Sequence, residues 1–169
     1  MSWGKLLQPD LVLRQSIMGL TTEIIEQNQL RGLVLDVDET LVPITAQQVS
    51  PELTYWVNHL RPKVSLWLVS NNISQNRIGA IAKSLDLPYI SAAGKPSRRK
   101  LRQAVAAMEL PIEQIGMVGD RLFTDVLAGN RLGMFTILVE PMIDPSQKTP
   151  FSSVRSIEVW ISKSLGASL

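Results

Sequence analysis

Five short apolar runs, at residues 32–37, 64–70, 88–91, 115–119 and 134–139, recur along the chain. Each has strand length and is too short and too continuous for an amphipathic helix. Between them lie helix-length segments with recognisable starts. Ser50 before Pro51 reads as an N-cap and first-turn proline, and Thr124 before Asp125 reads as a second start. Parallel strands need crossover connections, so this alternation predicts an α/β fold: a three-layer α/β/α sandwich on a mainly parallel, Rossmann-like sheet. Leu13, Ile17, Leu20 and Ile24 sit at helical spacing ahead of the sheet, and Val154, Ile157 and Ile161 do so beyond it. A helix is therefore expected to flank each end.

Composition narrows the class. With 169 residues, 45% of them hydrophobic, the chain is expected to form one domain, spanning 1–169, with 141–150 as a surface loop. Cysteine is absent, which removes disulfides and thiolate metal sites. Seventeen basic against fifteen acidic residues leave a net charge of +2, too little to imply a nucleic-acid partner. No apolar run reaches the roughly 18 residues that cross a bilayer, and no secretory signal pattern is visible, so a cytoplasmic location is expected. The sequence leaves the oligomeric state open.

The chemistry lies just past the strands, where ligands bind in open parallel sheets. Asp36, Asp38 and Thr40 follow the first run, and Ser70, Asn71 and Asn72 the second. Lys95 and Pro96 precede a helix, and Gly119, Asp120 and Asp125 follow a later strand. Asp36 and Asp38 are two apart, so in an extended segment both point the same way. Adding Asp120 gathers carboxylates that repel one another unless a cation joins them. Oxygen donors with room for water and phosphate favour Mg2+ over zinc. Lys95 can neutralise a carboxylate and a phosphoryl oxygen, while Ser70 donates to another oxygen. The set describes phosphoryl transfer, with one aspartate as nucleophile and another as acid and base.

These residues resemble the haloacid dehalogenase superfamily of phosphohydrolases. The shared motifs are DVDET at 36–40, Ser70, KP at 95–96 and GDRLFTD at 119–125. The resemblance implies Asp36 as nucleophile, Asp38 as acid/base, and Ser70 and Lys95 on the phosphoryl group. Mg2+ would be held by Asp36, Asp120 and the Asp38 backbone carbonyl, with Asp125 in support. Thr40 and Asn71 complete the expected substrate-binding set. The segment between the first two motifs has room for one helix and no large cap, so the site is expected to be open. LLQPD, GLVLDVDETLVP and the stretch from GDRLFTD to VEP look like the subfamily IIIA branch of YqeG-like proteins and mitochondrial-type phosphatidylglycerophosphate phosphatases. That branch implies a phosphomonoester substrate on an anionic phospholipid. The competing expectations are a phosphoprotein, nucleotide or sugar phosphate as substrate, and a non-catalytic scaffold of the same fold.

Several residues invite functional readings but are expected to be structural. Trp3, Leu6 and Leu7 are candidates for peripheral membrane contact, although a segment packed on the domain is preferred. The cationic cluster from Lys95 to Arg102 is a second candidate, for anionic headgroups, but apart from Lys95 a solvated helix face is preferred. His59 is expected at the surface, and Trp56, Trp67 and Trp160 in the core or between helices. Glu39 is expected to be structural or solvent-facing. For Asn71 and Asn72, capping of the next helix alone would explain both.

Overall fold

The computed structural model describes residues 3–144 and 151–166. In chain order the elements are α1 (Trp3–Leu6), β1 (Leu11–Leu13), α2 (Thr22–Gln27), β2 (Gly32–Leu35), α3 (Pro51–Leu60), β3 (Ser65–Val69) and α4 (Gln75–Leu85). They continue with β4 (Tyr89–Ile90), α5 (Arg99–Met108), β5 (Ile115–Gly119), α6 (Leu127–Leu132), β6 (Phe135–Val139) and α7 (Phe151–Ser164). The strands form one sheet in the order β1-β6-β5-β2-β3-β4, with every pairing parallel.

Because side chains alternate across a strand, β2 feeds both faces of the sheet. Leu33 and Leu35 join the α3 and α4 side, packing with Leu53, Val57, Ile78 and Ile81. Val34 joins the opposite side with Leu101, Ala104 and Met108 of α5 and Ala128 of α6. These two apolar layers make the expected sandwich. Helix α3 shows why its residues form an element: the Ser50 side chain accepts from the Leu53 amide at 3.1 Å, and Pro51 occupies the first turn. Its buried residues Leu53, Trp56, Val57 and Leu60 then fall on one stripe, and the Trp56 indole donates to the Leu20 carbonyl.

The five runs read from the sequence correspond to β2 to β6, with ends moved by a residue or two. Both ends of the chain need correction. The expected N-terminal helix across Leu13–Ile24 is instead β1, a 3-10 turn at Ile17–Gly19 and the short α2. Leu13, Ile17 and Leu20 are buried and Ile24 is partly buried, but β1 extends the sheet by pairing with β6. At the other end, α7 exists, but Trp160 is 70% exposed and is no packing anchor. The expected start at Thr124 also moves, because a π-helical turn at Leu122–Val126 already leads into α6. Most of the expected loop at 141–150 lies outside the described residues. Of the N-terminal candidates, Leu7 is fully buried and only Trp3 is strongly exposed. His59 is exposed, stacked on Tyr55. No helix among the described residues is long and apolar enough to cross a membrane.

Candidate active site

Register brings the site together. Leu35 pairs with both Leu68 and Val118. The next positions across the sheet are therefore Asp36 and Gly119, and Ser70 and Asp120 come one step later. The sheet order reverses about β2, so this edge is the switch point where such sheets bind ligands.

Beyond Asp36 the chain turns sharply. Thr40 and Leu41 amides donate back to the Val37 carbonyl at 3.3 and 2.9 Å, and Glu39 takes a left-handed φ of 62°. A non-glycine residue there costs on the order of 1 kcal/mol, which the turn recovers through its hydrogen bonds. The turn carries Thr40 back under Asp36. Its hydroxyl lies 3.3 Å from Asp36 Oδ2 and 3.3 Å from Asp120 Oδ1. Thr40 is fully buried and thus sits behind the carboxylates, away from the open pocket. Glu39 is buried, not solvent-facing: one carboxylate oxygen accepts from the Ile44 amide, and burial raises its pKa.

Lys95 arrives from the loop before α5 and is only 4% exposed. Its ammonium lies 2.7 Å from Asp36 Oδ1 and 2.7 Å from Asp125 Oδ1. Asn71 sets this loop: its side chain donates to the Lys95 carbonyl at 2.9 Å and accepts from the Lys95 amide at 2.7 Å. Ser74, not either asparagine, caps α4. Asn72 bridges the Ser74 amide and Asp38 Oδ2. Asp125 is held by the Arg121 amide, and its carboxylate lies where a Gly119 side chain would begin. Only glycine fits at that step of the strand.

Oxygens of Asp36, Asp120 and Asp125 come within 4.8 Å of one another, and all three residues are buried. Burial pushes the Asp36 pKa up to about 7; Lys95 opposes the rise and Asp125 adds to it. Burial, with Asp125 and Asp36 adding to it, pushes Asp120 up to about 8. Burial disfavours the Lys95 charge, but Asp125 and Asp36 outweigh it and hold the amine charged above its ordinary value. One ammonium thus leaves the group short of positive charge. An oxygen-only donor set in this state fits a hard divalent cation.

Asp38 lies apart from this cluster, on the same pocket. It forms a half-buried ion pair with Arg77, whose guanidinium also donates to the Ala46 and Pro43 carbonyls. Arg77 was not foreseen from the sequence; nothing local marks it, since its partner is 39 positions away. The same holds for Glu158 of α7, which accepts from Arg121 at 2.9 and 2.7 Å and from the Leu122 amide. That hydrogen bond is the main cause of the raised Arg121 pKa. The pocket enclosed by Asp36, Asp38, Ser70, Asn72, Lys95 and Arg121 holds about 120 Å³. Sites that enclose a whole drug-sized ligand run to ~300–1,000 Å³, so this one accommodates a phosphoryl group and little more.

Known proteins are similar to this chain in sequence and in fold. A family profile described as HAD-hydrolase-like matches residues 92–141. The probable phosphatase YqeG of Bacillus subtilis is 34% identical over 139 residues, covering 82% of this chain and 80% of that protein. The chain belongs to the haloacid dehalogenase family. Within that family it is of the YqeG type. Phosphatidylglycerophosphate phosphatase 1 of Chlamydomonas reinhardtii is 29% identical over 145 residues, covering 79% of this chain and 53% of that longer protein. A crystal structure from Mesorhizobium loti, described as HAD-like, shares the fold, with a TM-score of 0.51 at 19% identity, covering 82% of this chain and 88% of that one.

Proposed function

We propose that this HAD-family phosphatase cleaves a phosphomonoester through an aspartyl-phosphate on Asp36, with Mg2+ as cofactor and phosphatidylglycerophosphate as substrate. The observation that carries the chemistry is the buried Lys95 ammonium joining Asp36 to Asp125 beside Asp120, with Asp38 held separately on the same pocket.

Asp36 attacks phosphorus, and the bond from phosphorus to the leaving alcohol breaks as Asp38 passes its proton to that oxygen. Asp38 then takes a proton from water, which attacks the phosphorus and frees phosphate, restoring the Asp36 carboxylate. Lys95 offsets charge on Asp36 and on a phosphoryl oxygen. The Ser70 hydroxyl accepts from the Asn72 amide at 3.1 Å, which leaves its proton for a second phosphoryl oxygen. Arg77 and Asn72 fix the Asp38 carboxylate, and Asn71 fixes the loop that delivers Lys95. Mg2+ held by Asp36, Asp120 and the Asp38 carbonyl, with Asp125 in support, would supply positive charge against the phosphoryl oxygens.

The substrate assignment draws on the Chlamydomonas relative's name and on the pocket's size. Only α3 and its flanking loops lie between β2 and β3. The site has no cap there, and the body of the substrate stays outside a cavity sized for phosphate. The test is phosphate release from phosphatidylglycerophosphate in mixed micelles against a panel of sugar phosphates, nucleotides and phosphopeptides. Preference for the lipid supports the assignment, and a soluble ester hydrolysed with higher kcat/KM overturns it.

A further inference from the structure

We infer that the groove lined by Ser97, Arg98, Arg99, Arg102 and Arg131 is a second anion-binding site, taking a phosphate or phosphodiester group that is not itself cleaved. Its relation to a substrate rests on the phosphatase reading, whereas binding there requires no turnover.

The groove encloses about 620 Å³, several times the volume of the phosphoryl pocket, and none of its lining residues is acidic. Arg61, Arg77 and Arg121 each pair with a carboxylate. Among the described residues, none of the four groove arginines has such a partner. Two of them are oriented by neutral groups: Arg98 donates to the Arg131 carbonyl at 3.0 Å, and Arg131 donates to the Pro96 carbonyl at 3.2 Å. Those carbonyls aim the guanidinium groups without cancelling their charge. Arg99 and Arg102, three apart on α5, share a helix face and are exposed. Four like charges on one concavity repel each other unless an anion joins them, and guanidinium groups match phosphate oxygens with paired donors.

Placement ties the groove to the reaction. Pro96 follows Lys95, and Ser97 lies two residues beyond it, at most about 7 Å along the chain. One loop therefore carries both the amine on Asp36 and the rim of the groove. The helix face that the sequence suggests is merely solvated becomes a concave site only when α6 adds Arg131. The phosphate could belong to the substrate molecule itself or to a neighbouring headgroup in an anionic bilayer.

The test compares the wild type with an Arg99→Gln/Arg102→Gln/Arg131→Gln variant. Arginine side-chain NMR during titration with inorganic phosphate reports the site directly, and the groove arginine signals should shift in the wild type. Cosedimentation with vesicles of equal phosphatidylglycerol and phosphatidylcholine, against phosphatidylcholine alone, probes the bilayer source. The KM of a soluble bisphosphate ester, against that of p-nitrophenyl phosphate, probes the substrate source. At roughly fivefold per arginine, the variant should lose on the order of 100-fold in one of these two arms, with p-nitrophenyl phosphate turnover unchanged. Loss confined to vesicles assigns the phosphate to bilayer headgroups; loss confined to the bisphosphate assigns it to the substrate. Groove signals that ignore phosphate, or a variant equal to the wild type in both arms, overturn the inference. If the wild type hydrolyses no ester, the phosphatase reading fails while the NMR and vesicle arms still decide the groove.

Discussion

Replacing Lys95 with methionine keeps an unbranched side chain one atom shorter and removes the single ammonium among three buried carboxylates. Taking one partner from a buried ion pair costs about 3–5 kcal/mol, because the remaining charge has no compensation. For a domain of this size each kcal/mol moves Tm by about 2–4 °C, so the variant should melt roughly 6–20 °C lower at alkaline pH. The cost depends on pH with a defined sign. Burial raises Asp36 and Asp120 in the folded protein to about 7 and about 8, from the ordinary aspartate value of 3.8. Their stabilising contribution in metal-free protein is thus complete below about pH 4 and is lost as pH rises to about 8. For Asp36 alone the shift corresponds to about 4 kcal/mol. Lys95 opposes that loss, so its removal should steepen the decline and matter least at about pH 5, where Asp36 and Asp120 are protonated in the folded state. Urea denaturation in chelator at about pH 5 and about pH 9 measures this, and saturating Mg2+ should restore about 3 kcal/mol at the higher pH. A variant as stable as the wild type at about pH 9 would refute the assignment of Lys95 as the buried counter-charge.

Three further substitutions separate positioning from chemistry. Arg77→Gln releases the Asp38 carboxylate; kcat on p-nitrophenyl phosphate should fall about 100-fold with KM little changed, as steady-state kinetics will show. Gly119→Ala places a Cβ on the Asp125 carboxylate and should cost about 1–3 kcal/mol in urea denaturation, together with most of the activity. Glu158→Gln weakens the hold on Arg121 and should cost about 1–3 kcal/mol, read as a lower Tm with the sheet's circular dichroism intact.

The sheet was legible where burial on both faces makes a strand read as one apolar run, as in β2, β3, β5 and β6. β1 escaped because three residues are too few to show a period, and Leu13 falls at helical spacing from Ile17 and Leu20. Its strand state is imposed by β6, not by local preference. Trp160 was misplaced because helical spacing shows that α7 has an apolar stripe without showing what covers it. In the site, Asp36, Asp38, Ser70, Lys95, Asp120 and Asp125 were visible as polar residues ending apolar strands or opening helices. Arg77, Glu158 and the clamp of Asn71 on Lys95 were not, since each acts through a partner that only the folded chain brings near. The arginine groove needed two helices for the same reason.

The central claim is that Asp36 itself carries the phosphoryl group. Mass spectrometry of enzyme quenched in acid during turnover, with peptide mapping, tests it most directly. The account predicts one phosphate on the peptide bearing Asp36, and in Asp36→Asn neither that adduct nor phosphate release. Phosphate release persisting in Asp36→Asn, or an adduct mapped to another residue, would contradict it.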